Sequence, residues 1–132
     1  MPIYYVSQSL LVLVAALAFW RGRGWERATA VVLLLNWLGT ELAHFNHVDP
    51  PWVIIALDGL VCLFMIYAAV FSGRRWAVWA AAFQVLLMAN HLAFARSPDL
   101  HQWAYVTAYY VWGDLLLVAL AVGCVFARPC KR

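Results

Sequence analysis

The segment WVIIALDGLVCLFMIYAAVF, residues 52–71, decides the fold class of this chain. Its only charged residue is Asp58, and it is as long as the ~20 residues with which a helix crosses the hydrocarbon core of a bilayer. Backbone amides inside a bilayer must find hydrogen-bond partners within their own segment, so a run of this kind is helical. The segment therefore predicts a transmembrane helix that carries one carboxylate inside the membrane.

The composition extends this interpretation to the whole chain. Of the 132 residues, 67% are hydrophobic and 11% are charged, and the mean hydropathy is +0.80. A soluble domain of this length cannot bury so much apolar surface, so the bilayer must act as its solvent. Breaks rich in Arg, Gly, Pro and Asp separate the apolar segments. We predict an all-α polytopic transmembrane bundle, a single domain whose five helices cover residues 3–20, 28–45, 52–71, 76–95 and 103–127.

The basic residues indicate the orientation of this bundle. Eight of the nine Lys and Arg residues fall in the first loop, the third loop and the C-terminal tail, and Arg96 alone lies on the other side. Because Lys and Arg are concentrated in cytoplasmic loops, the N-terminus is predicted outside and the C-terminus in the cytoplasm. Basic residues at a membrane face suit anionic lipid headgroups. The bilayer is therefore a predicted partner, and nucleic acid is not.

Polar side chains are concentrated in the outer half of the predicted bundle. At a rise of about 1.5 Å per residue, Glu41, Asp58 and His91 from three helices fall at a similar depth. His44 lies nearer the surface and completes the set of four ionisable residues. Asn90 adjoins this level, while Gln84 and Asp114 lie deeper and are expected to form the floor of a pocket. The cytoplasmic half is expected to contain almost nothing comparable.

Helical periodicity collects the polar residues of each helix on one side. The stripe of the fourth helix contains Gln84 and His91. The stripe of the fifth helix contains Trp103, Thr107, Tyr110 and Asp114. An ionisable group that faces lipid is costly, so each stripe is expected to face the interior of the bundle.

Three carboxylates lie inside the predicted spans without any Lys or Arg to neutralise them. Glu41, Asp58 and Asp114 must therefore be protonated, paired with a protonated histidine, or bound to a cation. Each of these outcomes favours a binding pocket formed by the polar residues named above. The alternative is that these polar groups only join the helices through hydrogen bonds.

The spacing of Glu41 and His44 is the Glu-x-x-His pattern with which helices hold carboxylate-bridged metals. Together with Asp58 and His91, these residues would suit Zn, Fe or Mn. A haem b between His44 and His91 is a further alternative, although carboxylates beside the porphyrin argue against it. A proton or cation carrier also remains open, because Glu41, Asp58, His91 and Asp114 could form a relay that descends to the midplane. A phage-type lysis pore remains open because the size of the chain and its basic tail are compatible with one, although such a pore does not need acids in a pocket on one leaflet.

Sequence motifs of hydrolytic and nucleotide chemistry are absent from the chain. There is no nucleophile elbow, phosphate loop, redox Cys pair or HExxH motif. A binding protein is therefore favoured over an enzyme.

The segment RRWAVWAAAFQVLLMANHLA, residues 74–93, resembles a pattern in small, uncharacterised bacterial inner-membrane proteins. In these proteins an Asp in the preceding span is followed by an Arg-aromatic entry, a Trp-Ala-Ala turn, a mid-span Gln and a later His. The matching positions are Asp58, Arg75, Trp76, Trp79, Ala80, Ala81, Gln84 and His91, with Tyr105 and Trp112 in the fifth helix. The resemblance implies a bundle of several spans in the bacterial inner membrane and carries no activity.

Size and polar content together predict a small accessory or assembly protein of the inner membrane. Its outer-leaflet pocket is expected to bind a cation or a partner. That partner is expected to be another membrane protein or a second copy of the chain, because so short a bundle has little core of its own.

Overall fold

The computed structural model of the protein describes residues 2–22, 24–43, 52–97, 99 and 102–126. Every regular element in these residues is an α-helix, which confirms the predicted all-α bundle of five helices. α3 has the predicted bounds, whereas α2 begins earlier than residue 28 and α5 ends before residue 127. The elements are α1 (Pro2–Arg21), α2 (Gly24–Leu42), α3 (Trp52–Phe71), α4 (Arg75–Arg96) and α5 (Gln102–Val125).

Four of the helices, α1, α3, α4 and α5, are long and apolar enough to cross a membrane, so the chain is a multi-pass membrane protein. α2 is less apolar because its ends carry Glu26, Arg27 and Glu41. It nevertheless runs the full height of the bundle. Glu41 contacts Tyr4 near the start of α1, and Glu26 contacts Arg74 in the turn between α3 and α4.

The helices form a closed ring in chain order. Each helix packs against the next one along the chain, and α5 packs back against α1. Short connections between helices that pack side by side make consecutive helices antiparallel. We use the name basic end for the end of the bundle that contains Arg21, Arg27, Arg74 and Arg75, and distal end for the opposite one.

Apolar side chains fill the interior of the ring between its middle and the basic end. Met65 from α3 and Leu120 from α5 are completely buried there, beside equally buried alanines such as Ala18 and Ala68. Small residues let helices approach closely in a membrane, where van der Waals packing drives much of the association. Closely packed apolar side chains therefore fill this part of the interior.

A polar cluster lies at the basic end. Glu26 is completely buried, and its Oε1 accepts hydrogen bonds from Arg74 Nη1 at 2.7 Å and from Trp76 Nε1 at 3.0 Å. Thr29, one turn further along α2, is also completely buried. The expectation that this half contains almost nothing polar is wrong. The predicted helix began at residue 28 and left Glu26 in a loop, whereas α2 begins early enough to carry this carboxylate into the ring.

Candidate functional site

A hydrogen-bonded chain of side chains crosses the distal half of the ring. Asp58 Oδ2 lies 2.6 Å from His91 Nε2, and His91 Nδ1 lies 2.6 Å from the Tyr105 hydroxyl. Asn36 Nδ2 donates to Asp58 Oδ1 at 3.0 Å. Asp58, His91 and Tyr105 are all buried, and His91 is completely so. Four helices, α2 to α5, therefore contribute to one network.

The position of each residue along its helix explains why the network forms. Asp58 follows the start of α3 by about 9 Å, and His91 precedes the end of α4 by about 8 Å. Asn36 precedes the end of α2 by about 9 Å. Because consecutive helices are antiparallel, these distances place the three side chains at one level. The sequence-based depths of Asp58 and His91 therefore agree with the structure.

Further hydrogen bonds hold the network in position. Gln84 Nε2 donates to the backbone carbonyl of Asp58 at 2.9 Å, and Asn90 Nδ2 donates to the backbone carbonyl of Tyr105 at 3.1 Å. Gln84, predicted to lie in the pocket floor, thus also fixes the backbone at Asp58. Asn90 joins α4 to α5 beside His91.

Glu41 belongs to a different cluster. Its Oε1 accepts hydrogen bonds from the Tyr4 hydroxyl at 2.7 Å and from Gln8 Nε2 at 3.1 Å, and its side chain is exposed. His44, which was predicted to act with it, lies outside the described residues. Asp114 forms a third contact, accepting from Ser7 Oγ at 3.0 Å on Oδ2. Glu41 and Asp114 therefore each have partners from α1, whereas Asp58 has partners from α2 and α4.

The arrangement of these groups bears on the metal and haem alternatives. Both ring nitrogens of His91 already have partners, Asp58 on one side and Tyr105 on the other. Over the ranges that the structure describes, no group of three or more His, Cys, Asp or Glu residues is placed to hold a metal ion. Of the predicted ligand set, the structure joins only Asp58 to His91.

A cavity of about 140 Å³ occupies the distal half of the ring. Three carboxylates line it, those of Glu41, Asp58 and Asp114. Glu41 is the exposed member of the three, whereas Asp58 is buried. Its described lining contains no Lys, Arg or His side chain. Polar and aromatic residues make up much of the remainder, namely Tyr4, Ser7, Gln8, Asn36, Trp37, Thr40, Gln84, Tyr109 and Tyr110.

Two buried polar atoms of this lining have no hydrogen-bond partner among the described residues. They are the acceptor Asn36 Oδ1 and the donor Trp37 Nε1, which are adjacent in α2. Buried polar atoms in native proteins are nearly always paired, so these two atoms are exceptions among the described residues.

The predicted polar stripe of α5 is partly wrong. Thr107 is exposed and Trp103 is 67% exposed, whereas Tyr105 is buried in the network. Tyr110 and Asp114 do line the cavity, as expected. Two tyrosines mark the inward face of α5 better than the polar residues do. Tyr105 and Tyr109 are one turn apart, and the rings of both contact His91.

Comparison of the chain with protein-family models, with curated proteins and with solved structures finds no match. The candidate site therefore has to be interpreted from its own geometry.

Proposed function

We propose that this protein is a small multi-pass component of the bacterial inner membrane that binds a small organic cation, of the protonated-amine class, in the distal cavity. One observation carries the proposal. Glu41, Asp58 and Asp114 line the same cavity, and no cationic side chain lies on its described lining.

The charge of the lining favours a cationic occupant. A carboxylate away from bulk water is costly when it is ionised and unpaired. The described lining offers neutral donors to these acids, from Tyr4, Gln8, Asn36 and Ser7, but no positive charge. Behind the lining, His91 is an ionisable partner of Asp58, and it contacts neither Glu41 nor Asp114. A cation inside the cavity would interact with all three acids in a medium that screens charge far less than water does.

The shape and chemistry of the cavity favour an organic cation over a metal ion. Metal ions need several ligand atoms within roughly 2.0–2.6 Å, and no such group of acidic, His or Cys side chains occurs in the described parts of the chain. The cavity has instead the size of an engineered cavity of about 150 Å³ that holds one benzene molecule. Aromatic rings of Trp37, Tyr109 and Tyr110 on its wall suit cation–π contact with an ammonium group.

The apolar core favours a binding protein over a pore. From Asp114 towards the basic end, α5 contributes the buried residues Leu116, Leu117 and Leu120 to the interior. Met65 from α3 packs into the same core. A water-filled path would have to displace these side chains, so the cavity ends inside the membrane.

The test is calorimetric titration of the detergent-solubilised protein with n-butylammonium, and with 1-butanol as a neutral ligand of the same length. We expect n-butylammonium to bind and 1-butanol to bind at least about tenfold more weakly, a difference of about 1.4 kcal/mol. Asp114→Asn removes one carboxylate from the wall and should weaken n-butylammonium binding by about tenfold. Asp99→Asn is the matched control, because Asp99 is exposed outside the helices and off the cavity lining.

Equal binding of the alcohol and the ammonium ion would refute the proposal, as would equal effects of Asp114→Asn and Asp99→Asn. Elemental analysis and an optical spectrum of the same preparation test the alternative that the protein binds a metal ion or haem. A stoichiometric metal or haem in the purified protein would replace this proposal with a membrane redox protein.

We also propose that the protein works as an accessory or assembly factor in contact with another membrane protein or with itself. Its support is the small size of the bundle, which leaves nearly all of its outer surface to lipid or to a partner. Crosslinking in intact membranes followed by detergent pull-down should recover one defined partner or a homo-oligomer. Recovery of the monomer alone would contradict this part of the proposal.

A further inference from the structure

Asp58 belongs to two environments at once. Its carboxylate lines the cavity, yet its Oδ2 lies 2.6 Å from the imidazole of His91. His91 is completely buried and does not form part of the cavity wall. A ligand next to Asp58 therefore acts on His91 without touching it.

The Asp58–His91 pair can hold one proton or two without losing a hydrogen bond. A tyrosine hydroxyl both donates and accepts, and a histidine nitrogen does either according to its protonation. With one proton, Tyr105 donates to Nδ1, Nε2 donates to Asp58, and the pair has a net negative charge. With two protons, Nδ1 donates to Tyr105 instead and the pair is neutral. The 2.6 Å contacts on both ring nitrogens are compatible with either state.

The other contacts of Asp58 keep its carboxylate in place during this change. Asn36 Nδ2 holds Oδ1, the oxygen that does not face His91, and Gln84 Nε2 holds the backbone carbonyl of the same residue. Neither amide group changes charge between the two states. The pair thus gains or loses a proton within a fixed frame.

We propose that a cation bound in the cavity expels one proton from the Asp58–His91 pair, so that the protein exchanges an organic cation for a proton. This inference rests on the proposed function. One cation enters from solution and one proton leaves to solution, so the charge buried in the distal half of the ring stays the same. A positive charge beside Asp58 favours the negative form of the pair because the surroundings screen it weakly. By linkage, protons weaken cation binding to the same extent.

Other titratable groups surround the pair and must be separated from it. Towards the cavity they are Tyr4 on α1, Glu41 on α2, Tyr109, Tyr110 and Asp114 on α5, with Cys62 one turn along α3. Tyr105 completes the set on the far side of His91. No Lys or Arg faces the pair from the described lining of the cavity. The two acids, Glu41 and Asp114, are the alternative sources of a proton.

The experiment measures how many protons are released for each cation that binds. n-Butylammonium is titrated into the full-length protein in two buffers of different ionisation enthalpy at the same pH, over a series of pH values. We expect up to one proton released per cation bound, and a Kd that falls about tenfold per pH unit while the pair carries its second proton. In the double variant Asp58→Asn, His91→Gln, neither member of the pair can titrate, and two amides can still form a hydrogen bond at this position. This double variant should bind n-butylammonium more weakly, with no proton release from the pair and a correspondingly flatter pH profile.

Glu41→Gln and Asp114→Asn complete the assignment, and they keep the test valid should the double variant fail to fold. Neither residue contacts His91, so both variants should still release the proton even though they bind the cation more weakly. Binding to the wild-type protein without proton release would overturn this inference and leave cation binding intact. Loss of the released proton in Glu41→Gln or Asp114→Asn, or its full retention in the double variant Asp58→Asn, His91→Gln, would also overturn it. Absence of n-butylammonium binding would overturn the proposed function together with this inference.

Discussion

Two glycines of α5 offer a matched test of the packing at the basic end. At Gly123, an added Cβ would lie far inside van der Waals contact of Trp76 Cδ1 and Cγ. At Gly113, an added Cβ meets nothing within 4 Å. The same Gly→Ala substitution in the same helix should therefore have opposite effects on stability.

The expected changes in the free energy of unfolding depend on how far the Trp76 ring can move. Ala in place of Gly inside a helix stabilises by roughly 0.5–1 kcal/mol, which is the full effect expected at Gly113. At Gly123 the overpacking costs about 1–3 kcal/mol. Trp76 is buried, and its Nε1 donates to Glu26, so a ring shift that relieves the clash also weakens a buried hydrogen bond worth about 1–3 kcal/mol. We expect Gly123→Ala to destabilise by about 2–4 kcal/mol in total.

The assay is equilibrium unfolding by SDS in mixed micelles, followed by the fluorescence of the chain's eight tryptophans. With Cys62 and Cys130 replaced by Ser in every variant, Cys124 provides a second readout, because this buried thiol should react with a maleimide dye only when the basic end opens. Gly123→Ala should unfold at lower SDS and expose Cys124 sooner, whereas Gly113→Ala should match or exceed the wild type. A Gly123→Ala protein as stable as Gly113→Ala would refute the close contact between Trp76 and α5.

Two further predictions concern the basic end and the orientation. Glu26→Ala should destabilise the protein by about 3 kcal/mol in the same SDS assay, since it leaves Arg74 and Trp76 without their shared acceptor. Glu26→Gln should cost about half as much. Wild-type stability of both variants would contradict the buried contacts of Glu26 with Arg74 and Trp76. A membrane-impermeant maleimide applied to intact cells should label Ser97→Cys and leave Ser72→Cys unlabelled, because the distribution of basic residues predicts a cytoplasmic α3–α4 turn. The reverse pattern would contradict the predicted orientation.

The predictable part of the site depended on how far each residue lies along its helix from the helix end. Asp58 and His91 lie at similar distances from the ends of their helices, so antiparallel packing alone brings them to one level. The inward face of α4 was also predictable, because Gln84 and His91 share a stripe at helical spacing and both are buried. Depth and periodicity are local properties of a chain that must be helical in a membrane.

Rotation about each helix axis and the pairing of side chains were not predictable in the same way. Tyr105 replaced Thr107 on the inward face of α5 because the ring closes between α4 and α1 and sets which side of α5 is covered. Glu41 found Tyr4 and Gln8 because α2 and α1 are neighbours. No spacing along the chain determines such a choice, since several rotations bury similar apolar area.

By itself, the sequence determined that this chain is a helical, multi-pass membrane protein with acids at intramembrane depths. It did so because hydrophobic length and backbone hydrogen bonding leave a bilayer segment only one solution. The tertiary structure alone decided that these acids share a cavity, that His91 connects Asp58 to Tyr105, and that Glu26 is buried with Arg74 at the opposite end. Those outcomes depend on how five helices pack around a common interior, where contacts between residues distant in the chain outweigh anything that a single helix specifies.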